Sequence, residues 1–437
     1  MSQQLQPYKQ VNKKTYLGEV IMIILALNCG SSSVKYQLYN WGTKEVVAKG
    51  IVERIGLGET FIVHQAPQTN AKFKKEHECG DHEAAINLII KTLANGETAV
   101  INNMSEISAV GHRVVHGGEK FKSSKLITED VVKAIEEVSD LAPLHNPANL
   151  VGIRAAQHAL PNAPHIAVFD TAFHQTMPKH AYLYPLPYEW YTDNSIRRYG
   201  FHGTSHLYVS KRAATLLGKS ANECNIITLH IGNGVSVCAI KNGVSVDTSM
   251  GLTPLEGAVM GTRSGDIDPA IPLFMQEKLN LSTEEMTNIL NKKSGVLAIT
   301  GKYADRRDIE DGAAEGDSRC QLAVDIEAYR LRKYIGAYAF ALGKVDAIVF
   351  TAGVGENGPI MRKTILEGLE DMGIVIDNDI NKETYSKKGE TELSTPESKI
   401  KVFMIPTDEE LVFVEDVVAI LQDTYEDHTK YPYTFLK

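Results

Sequence analysis

Five short runs rich in Val, Ile and Leu, at 21–27, 166–169, 225–229, 347–350 and 400–405, stop abruptly at small, polar or turn-forming residues. Their length and β-branched content predict buried strands. Between them lie polar stretches whose apolar residues recur at helical spacing: 129–141, 207–217, 284–291, 320–342 and 360–371. Strands alternating with helices of this length predict an α/β protein with covered sheets. No low-complexity tract or flexible linker interrupts the sequence, so domain boundaries are weakly marked.

A shift of 202 residues lays Ala26-Leu27-Asn28-Cys29-Gly30-Ser31-Ser32 over Thr228-Leu229-His230-Ile231-Gly232-Asn233-Gly234. Both read as strand, polar residue, spacer, Gly and small polar tip. A second alternating strand follows each, at 34–39 and 235–240, and then a turn, Asn40-Trp41-Gly42 or Lys241-Asn242-Gly243. Two such hairpins, one per half, predict two related domains facing one another.

At 437 residues, with 43% hydrophobic and 23% charged positions, the composition is that of a folded protein of two or three domains. Its net charge of −9 is opposite to what phosphate-backbone binding needs, so nucleic acid is not an expected partner. Five scattered cysteines without a CxxC pair fit a reducing compartment, hence a cytoplasmic location. No apolar run approaches the roughly 18 residues of a membrane span. Lys13 and Lys14 before 20–27 loosely mimic a leader, but the run is short and Glu19 interrupts its approach. The preferred reading is a polar extension over 1–20, with Met22 as the natural start.

Three loops suit phosphate, because backbone N–H groups in Gly/Ser/Asn turns form a concave anion site. They are Asn28 to Lys35, with Ser31, Ser33 and the point charge of Lys35; His230-Ile231-Gly232-Asn233-Gly234; and Gly353-Val354-Gly355-Glu356-Asn357-Gly358. No Walker A pattern accompanies them. The last is formally a GxGxxG, and Asp377 lies about twenty residues on, as in a dinucleotide fold. Coming after two other phosphate-type loops, it is read as a nucleotide-contacting strand–loop–helix, with an NAD-dependent dehydrogenase as the competing reading.

Between 110 and 270, Arg and His are embedded among glycines: Arg113 in Gly111-His112-Arg113-Val114-Val115-His116-Gly117-Gly118, His202 and His206 in Phe201-His202-Gly203-Thr204-Ser205-His206, and Arg263 in Gly261-Thr262-Arg263-Ser264-Gly265-Asp266. Guanidinium forks suit carboxylate and phosphate oxygens, and imidazoles can donate to a transferring phosphoryl group. The i,i+4 spacing of His202 and His206 could suit zinc, but no HExxH or third ligand accompanies it, and a GxSxG elbow is absent.

Leu27-Asn28-Cys29-Gly30-Ser31-Ser32-Ser33-Val34-Lys35-Tyr36 resembles the first signature of the acetate kinase family. Asp170-Thr171-Ala172-Phe173-His174-Gln175-Thr176-Met177-Pro178, continuing to Tyr199-Gly200-Phe201-His202-Gly203-Thr204-Ser205-His206, resembles the second. The likeness runs from about residue 21 to 415. It implies two similar ribonuclease-H-like domains of the actin and sugar-kinase type around a nucleotide cleft. The lobes would be 21–172 plus 408–437 on the acetate and phosphate side, and 173–407 on the nucleotide side. It also implies a homodimer and reversible transfer from ATP to acetate, giving ADP and acetyl phosphate; because acetate is already ionised at neutral pH and needs no general base, that transfer is expected to be direct and in line. Mg²⁺ would be required, with Mn²⁺ as a substitute, and propionate or butyrate is the alternative acceptor.

The resemblance further implies roles for individual residues. Asn28 and Glu409 match metal-linked positions. Lys35, Ser31, Ser33, the run His230 to Gly234, Asp305, Arg306, Arg307 and the run Gly353 to Asn357 match ATP contacts. Arg113 matches the acetate-binding arginine, with Val115, Leu144, Phe201 and Pro254 around the methyl group. Asp170, His202 and Arg263 match catalytic positions. Tyr303-Ala304 before Asp305, where serines are expected, and Asp408, where Asn is common, depart from the pattern. A non-catalytic nucleotide switch of the actin type would need neither Arg113 and Arg263 nor an apolar acyl pocket.

Overall fold

A computed structural model describes residues 14–16, 19–96, 98–143 and 145–436. The chain forms two compact units, Met1–Ala172 with Glu410–Tyr431, and Phe173–Glu409 with Pro432–Lys437.

In the first unit, β1 (Lys14–Tyr16) and β2 (Glu19–Ile21) form a separate antiparallel pair. The first run therefore enters the main sheet only at β3 (Ile23–Cys29). That sheet adds β4 (Ser33–Asn40), β5 (Glu45–Glu53), β6 (Phe61–Ala66), β7 (Ala71–Glu76), β8 (Ile107–Val114), β9 (Lys125–Leu126) and β10 (His165–Phe169), in the order β7-β6-β5-β4-β3-β8-β10-β9. The period of two explains why β3 is apolar from Ile23 to Leu27, with both faces covered. Leu25, Leu27 and Cys29 pack with Ile86 and Ile89 of the helix His82–Ala94 and with Ala155 and Ala156 of the helix Asn146–Ala159. Ile24 and Ala26 face Phe413, Val414 and Val417 of the C-terminal helix Glu409–Leu421.

The second unit contains β11 (Asn225–Ile231), β12 (Val235–Lys241), β13 (Val244–Thr248), β14 (Ala347–Thr351), β15 (Thr391–Glu392) and β16 (Lys401–Met404), ordered β13-β12-β11-β14-β16-β15. The strands β5-β4-β3-β8-β10 and β13-β12-β11-β14-β16 repeat one topology. In each, three antiparallel strands are followed by two parallel ones. The repeat inferred from the 202-residue shift is thus a repeat of fold, and its hairpins are β3–β4 and β11–β12. Asn242 and Gly243, both at positive φ, make the tight β12–β13 turn.

Helices form at Gly203–Leu216, Thr283–Lys292 and Ser318–Leu342, close to the expected spans. Two expected helices are shorter. The stretch 129–141 is the helix Glu129–Glu137 followed by a 3₁₀ turn, Ser139–Leu141. The stretch 360–371 is the helix Pro359–Leu366, which Gly368 at positive φ follows, and then the turn Glu370–Met372. The last residues, expected with the N-terminal lobe, group with the second unit instead. Arg212 donates to the Phe435 carbonyl, and the Phe435 ring packs on Tyr208 and Tyr433 at 4.9 and 4.8 Å. All five cysteines are buried and unpaired. Among the described residues no helix is long and apolar enough to cross a membrane.

One close approach fixes the β3–β4 hairpin on its helix. A Cβ at Gly152 would stand 2.3 Å from the Cys29 Sγ. Gly152→Ala gains about 1 kcal/mol of helix propensity but loses about 1–3 kcal/mol to overpacking. The expected outcome is a net loss that the added change Cys29→Ala partly restores. Urea midpoints of the two single variants and the double variant check it, and additive losses would show that the two positions do not touch.

Candidate active site

In the first unit, Asn28 closes β3 opposite Lys35 on β4. The intervening turn is tight, with the Gly30 N–H donating to the Ser33 carbonyl at 2.8 Å and His82 Nε2 2.6 Å from the Gly30 carbonyl. Ser31 and Lys35 are exposed at its tip, and Ser33 is partly buried. Two asparagines on the first turn of the helix Asn146–Ala159 bind this hairpin to the next strand. The Asn149 amide donates to the Cys29 carbonyl at 2.7 Å, and its oxygen accepts from the Val115 N–H at 3.0 Å. Asn146 pairs with both backbone groups of His116.

Strands β8 and β10 run parallel in register, which brings Arg113 beside Asp170 just past the end of β10. Arg113 donates through Nε to Asp170 Oδ1 at 3.0 Å and through Nη2 to Oδ2, a bidentate pair. Asp170 is 1% exposed and Arg113 23%, so the buried carboxylate is compensated by a cation that still reaches the surface of the unit. Val115 is buried beside them. Leu144 lies outside the described residues.

In the second unit, the tip Gly232-Asn233-Gly234 joins β11 to β12, and Gly232 N–H donates to the Gly234 carbonyl at 3.0 Å. His202 stands at φ +56°, just before the helix Gly203–Leu216. Its ring stacks on His230 with centroids 4.0 Å apart. A Cβ on Gly234 would lie 2.6 Å from Arg263 Nη2, 3.3 Å from His202 Cε1 and 3.4 Å from His202 Nε2, so a side chain there would displace the end of Arg263 at the point where both side chains converge. Arg263 Nη1 donates to the Pro254 carbonyl at 2.6 Å. Among the described residues no carboxylate pairs with Arg263, and burial draws its pKa below the usual arginine value. Phe201 is buried and Pro254 partly so.

Beside this tip the second unit holds a cavity of about 560 Å³. Of the expected ATP contacts, Gly232, Asn233, Asp305, Arg306, Arg307, Gly353, Val354 and Asn357 line it, together with Ala304, Glu310 and Gly358. Arg306 is held bidentate by the buried Glu327 at 2.8 and 3.1 Å, whereas Arg307 is exposed and pairs with Asp305. His230, Ile231 and Gly234 are not among the lining residues, and neither are Gly355 and Glu356. The GxGxxG, read as a loop, is a short helix, Ala352–Asn357, that leaves β14 with Ala352 at φ +65°. The helical turn rotates two of its five expected residues inward. The Gly355 carbonyl accepts from the buried Arg362 at 2.9 Å, and the Glu356 carboxylate accepts from the Ala352 and Thr407 N–H groups. Burial raises the Glu356 pKa, while those donors oppose the rise.

Sequence reasoning missed the residues that frame these groups. Arg198 Nη1 donates to the Thr248 and Ser249 carbonyls at 2.7 and 2.9 Å, while Nη2 meets Glu256. Asp266 Oδ1 accepts from the Gly257 N–H at 2.9 Å, and these contacts close the loop that carries Pro254 and Arg263. The hydroxyls of Ser205, Ser236, Thr228 and Thr407 contact the histidines or one another. Thr204 Oγ1 donates to Glu409 Oε2 at 2.9 Å. The hints in the sequence were that Thr204, Ser205 and His206 adjoin His202 and that Asp266 ends the glycine-flanked run carrying Arg263. Among the described residues no group of three or more His, Cys, Asp or Glu is arranged to hold a metal, and His202 and His206 both bond Ser236.

Residues 23–415 match the model of the acetokinase family. The chain is 66% identical over 417 residues to the acetate kinase of Geobacter sulfurreducens, covering 95% of this chain and 99% of that one. It is 57% identical over 402 residues to that of Thermotoga maritima, covering 92% and 99%. Among solved structures, Porphyromonas gingivalis acetate kinase matches with TM-score 0.87 and 47% identity, covering 92% of this chain and all of that one. A propionate kinase from Francisella tularensis matches with TM-score 0.84 and 42% identity over 90% and 98%. With nearly its whole length matched and its two ribonuclease-H-like units in place, the chain belongs to the acetokinase family.

Proposed function

We propose that this protein is an acetate kinase that transfers the γ-phosphoryl group of ATP directly and reversibly to acetate. The observation that carries the reading is Arg263. It is a buried guanidinium without a carboxylate partner among the described residues, set with His202 against a glycine tip that admits close approach. A cation left uncompensated in that setting awaits an anion.

Acetate is ionised at neutral pH and needs no general base before its oxygen attacks phosphorus. Positioning and charge stabilisation are then the protein's whole contribution. Arg113 holds the carboxylate, with Val115, Leu144, Phe201 and Pro254 excluding water from the methyl group. Arg263 and His202 serve the equatorial oxygens of the moving phosphoryl group. The bidentate Arg113–Asp170 pair supports Asp170 as the anchor of that arginine, not as a proton carrier. The 560 Å³ cavity suits adenosine, and the tip at Gly232 and Asn233 suits the phosphates. The hard oxygens of Asn28 and Glu409 fit Mg²⁺, and Mn²⁺ equally, since such ions take few protein ligands beside water and phosphate. When bound, the ion neutralises charge shared by the β- and γ-phosphates. The use of ATP favours a cytoplasmic setting.

A second reading, propionate as acceptor, is favoured by the likeness to the propionate kinase. One methylene in an apolar pocket changes affinity by only about 1–3 kcal/mol. Hydroxamate trapping with ATP, Mg²⁺ and acetate, propionate or butyrate in parallel separates the two: acetate should give the highest kcat/KM. Homodimerisation is proposed from the helix Ala270–Leu279, which buries none of its residues and exposes Ile271, Leu273, Phe274 and Leu279. A second copy covers such a stripe with the same stripe in an isologous contact.

Arg263→Ala should lose at least about 10³-fold in turnover, the scale of removing an arginine finger; near wild-type turnover would sink the assignment. The pH–rate profile of the wild-type chain should be flat through neutrality. An essential ionisation that disappears in Asp170→Asn would instead make Asp170 a proton carrier. Sedimentation should show a dimer that Leu273→Asp with Phe274→Asp converts to monomers, whereas a monomeric wild-type chain would remove the dimer reading.

A further inference from the structure

The helix Arg306–Ala314 and its N-cap Asp305 form one wall of the 560 Å³ cavity, and Asp305, Arg306, Arg307 and Glu310 bring charge to it. Three of these are matched within the chain. Arg306 is bidentate to Glu327, and Arg307 pairs with Asp305. Glu310 is not matched. Its Oε1 is buried and meets no hydrogen-bond donor among the described residues. The Arg362 guanidinium is close enough to favour its charge, but it is committed to the Gly355 and Thr384 carbonyls and to Asn381, at 2.8 to 2.9 Å. Glu327 and Asp311 stand near with like charge. Burial, with those two carboxylates, raises the Glu310 pKa, so the ionised form is held at a cost until a donor reaches it.

A ligand that settles in this cavity must therefore bring a hydrogen. A phosphate chain does not, since its oxygens accept and its charge repels a carboxylate. A metal ion is the weaker occupant, because among the described residues no group of three His, Cys, Asp or Glu is arranged to hold one. The nucleoside half of a nucleotide carries the donors that are needed: the 2′- and 3′-hydroxyls of ribose and the 6-amino group of adenine. A carboxylate accepts from either in a charge-assisted bond. An analogue that lacks the right donor leaves the buried oxygen unpaired and is rejected for that reason.

We propose that Glu310 is a specificity-determining residue whose carboxylate accepts a hydrogen bond from an O–H or N–H group of the nucleoside half of the phosphoryl donor. The proposal rests on the nucleotide reading of this cavity given above. Its test needs no turnover. Calorimetry on the full-length chain compares ADP with 2′-deoxy-ADP, 3′-deoxy-ADP and purine riboside diphosphate, which lacks the 6-amino group. In the wild type, the analogue missing the recognised donor should bind about 10- to 100-fold more weakly than ADP, the worth of one hydrogen bond to a charged group. A weak deoxy analogue places that donor on the ribose, and a weak purine riboside places it on the base. Glu310→Ala should bind ADP and that analogue alike, while the ratios among the other nucleotides stay as in the wild type. Glu310→Gln keeps the shape and one acceptor oxygen, so it serves even if the alanine variant does not fold. It should lose at least about threefold of the discrimination, because the acceptor is no longer charged. Equal binding of all four nucleotides to the wild type would overturn the proposal, as would full discrimination retained in both variants. A uniform weakening of all four in the variants would overturn it too, since that marks a merely structural role. A wild-type chain that binds none of the four removes the nucleotide reading itself, whereas ADP binding without discrimination removes this proposal alone.

Discussion

Two arginines in this protein meet opposite electrostatic fates, and the proposed chemistry depends on that asymmetry. Arg113 is clasped by a carboxylate that is itself almost wholly buried, so the pair is nearly neutral and rigid. Arg263 is also largely enclosed, yet among the described residues only a backbone carbonyl holds it. Enclosing a cation without a counter-charge is unfavourable, and burial lowers its pKa accordingly. In the reaction proposed above, an arriving phosphoryl group relieves that penalty, as a neutral ligand would not. A carboxylate substrate needs less: one oriented guanidinium and an apolar wall suffice, because its charge is already present and is partly lost as the bond to phosphorus forms.

The duplicated topology shows how the asymmetry is built. Both units carry a hairpin leading into parallel strands, but the tips have diverged. The first is Gly30-Ser31-Ser32, anchored from behind by His82 and Asn149. The second is Gly232-Asn233-Gly234, with no side chain at Gly234 because the Arg263 guanidinium and the His202 ring crowd that point. One fold thus supplies a hydroxyl-lined turn in one copy and a bare backbone turn in the other, and only the second needs room for a guanidinium and an imidazole at once.

The strands at 23–29, 33–40, 165–169, 225–231, 235–241, 347–351 and 401–404 and the repeat were legible in the sequence because each is a local pattern, a short apolar run or a glycine tip between two alternating strands. The helix over Ala352–Asn357 was not, because the three glycines of Gly353-Val354-Gly355-Glu356-Asn357-Gly358 argue for a loop. What overrides that propensity is tertiary: Arg362 and Thr407 bond the turn from outside it, through Gly355 and Glu356. The division of the C-terminal residues was likewise invisible. The anchors of Phe435 are Arg212, Tyr208 and Tyr433, and the first two lie more than two hundred positions earlier.

The hydroxyls around the histidines were the least legible feature, and the reason is physical. A buried serine in a strand such as β12 reads in sequence as a small residue that fits a tight core, and its period-two neighbours Cys238 and Ile240 do nothing to distinguish it. Its role appears only when His202 and His206, brought together by one helical turn, meet the strand from the same side. An imidazole facing solvent can exchange its tautomer through water. One whose inner nitrogen meets a buried hydroxyl cannot do so without moving every proton in the series. Such a series costs little in stability when every donor finds an acceptor.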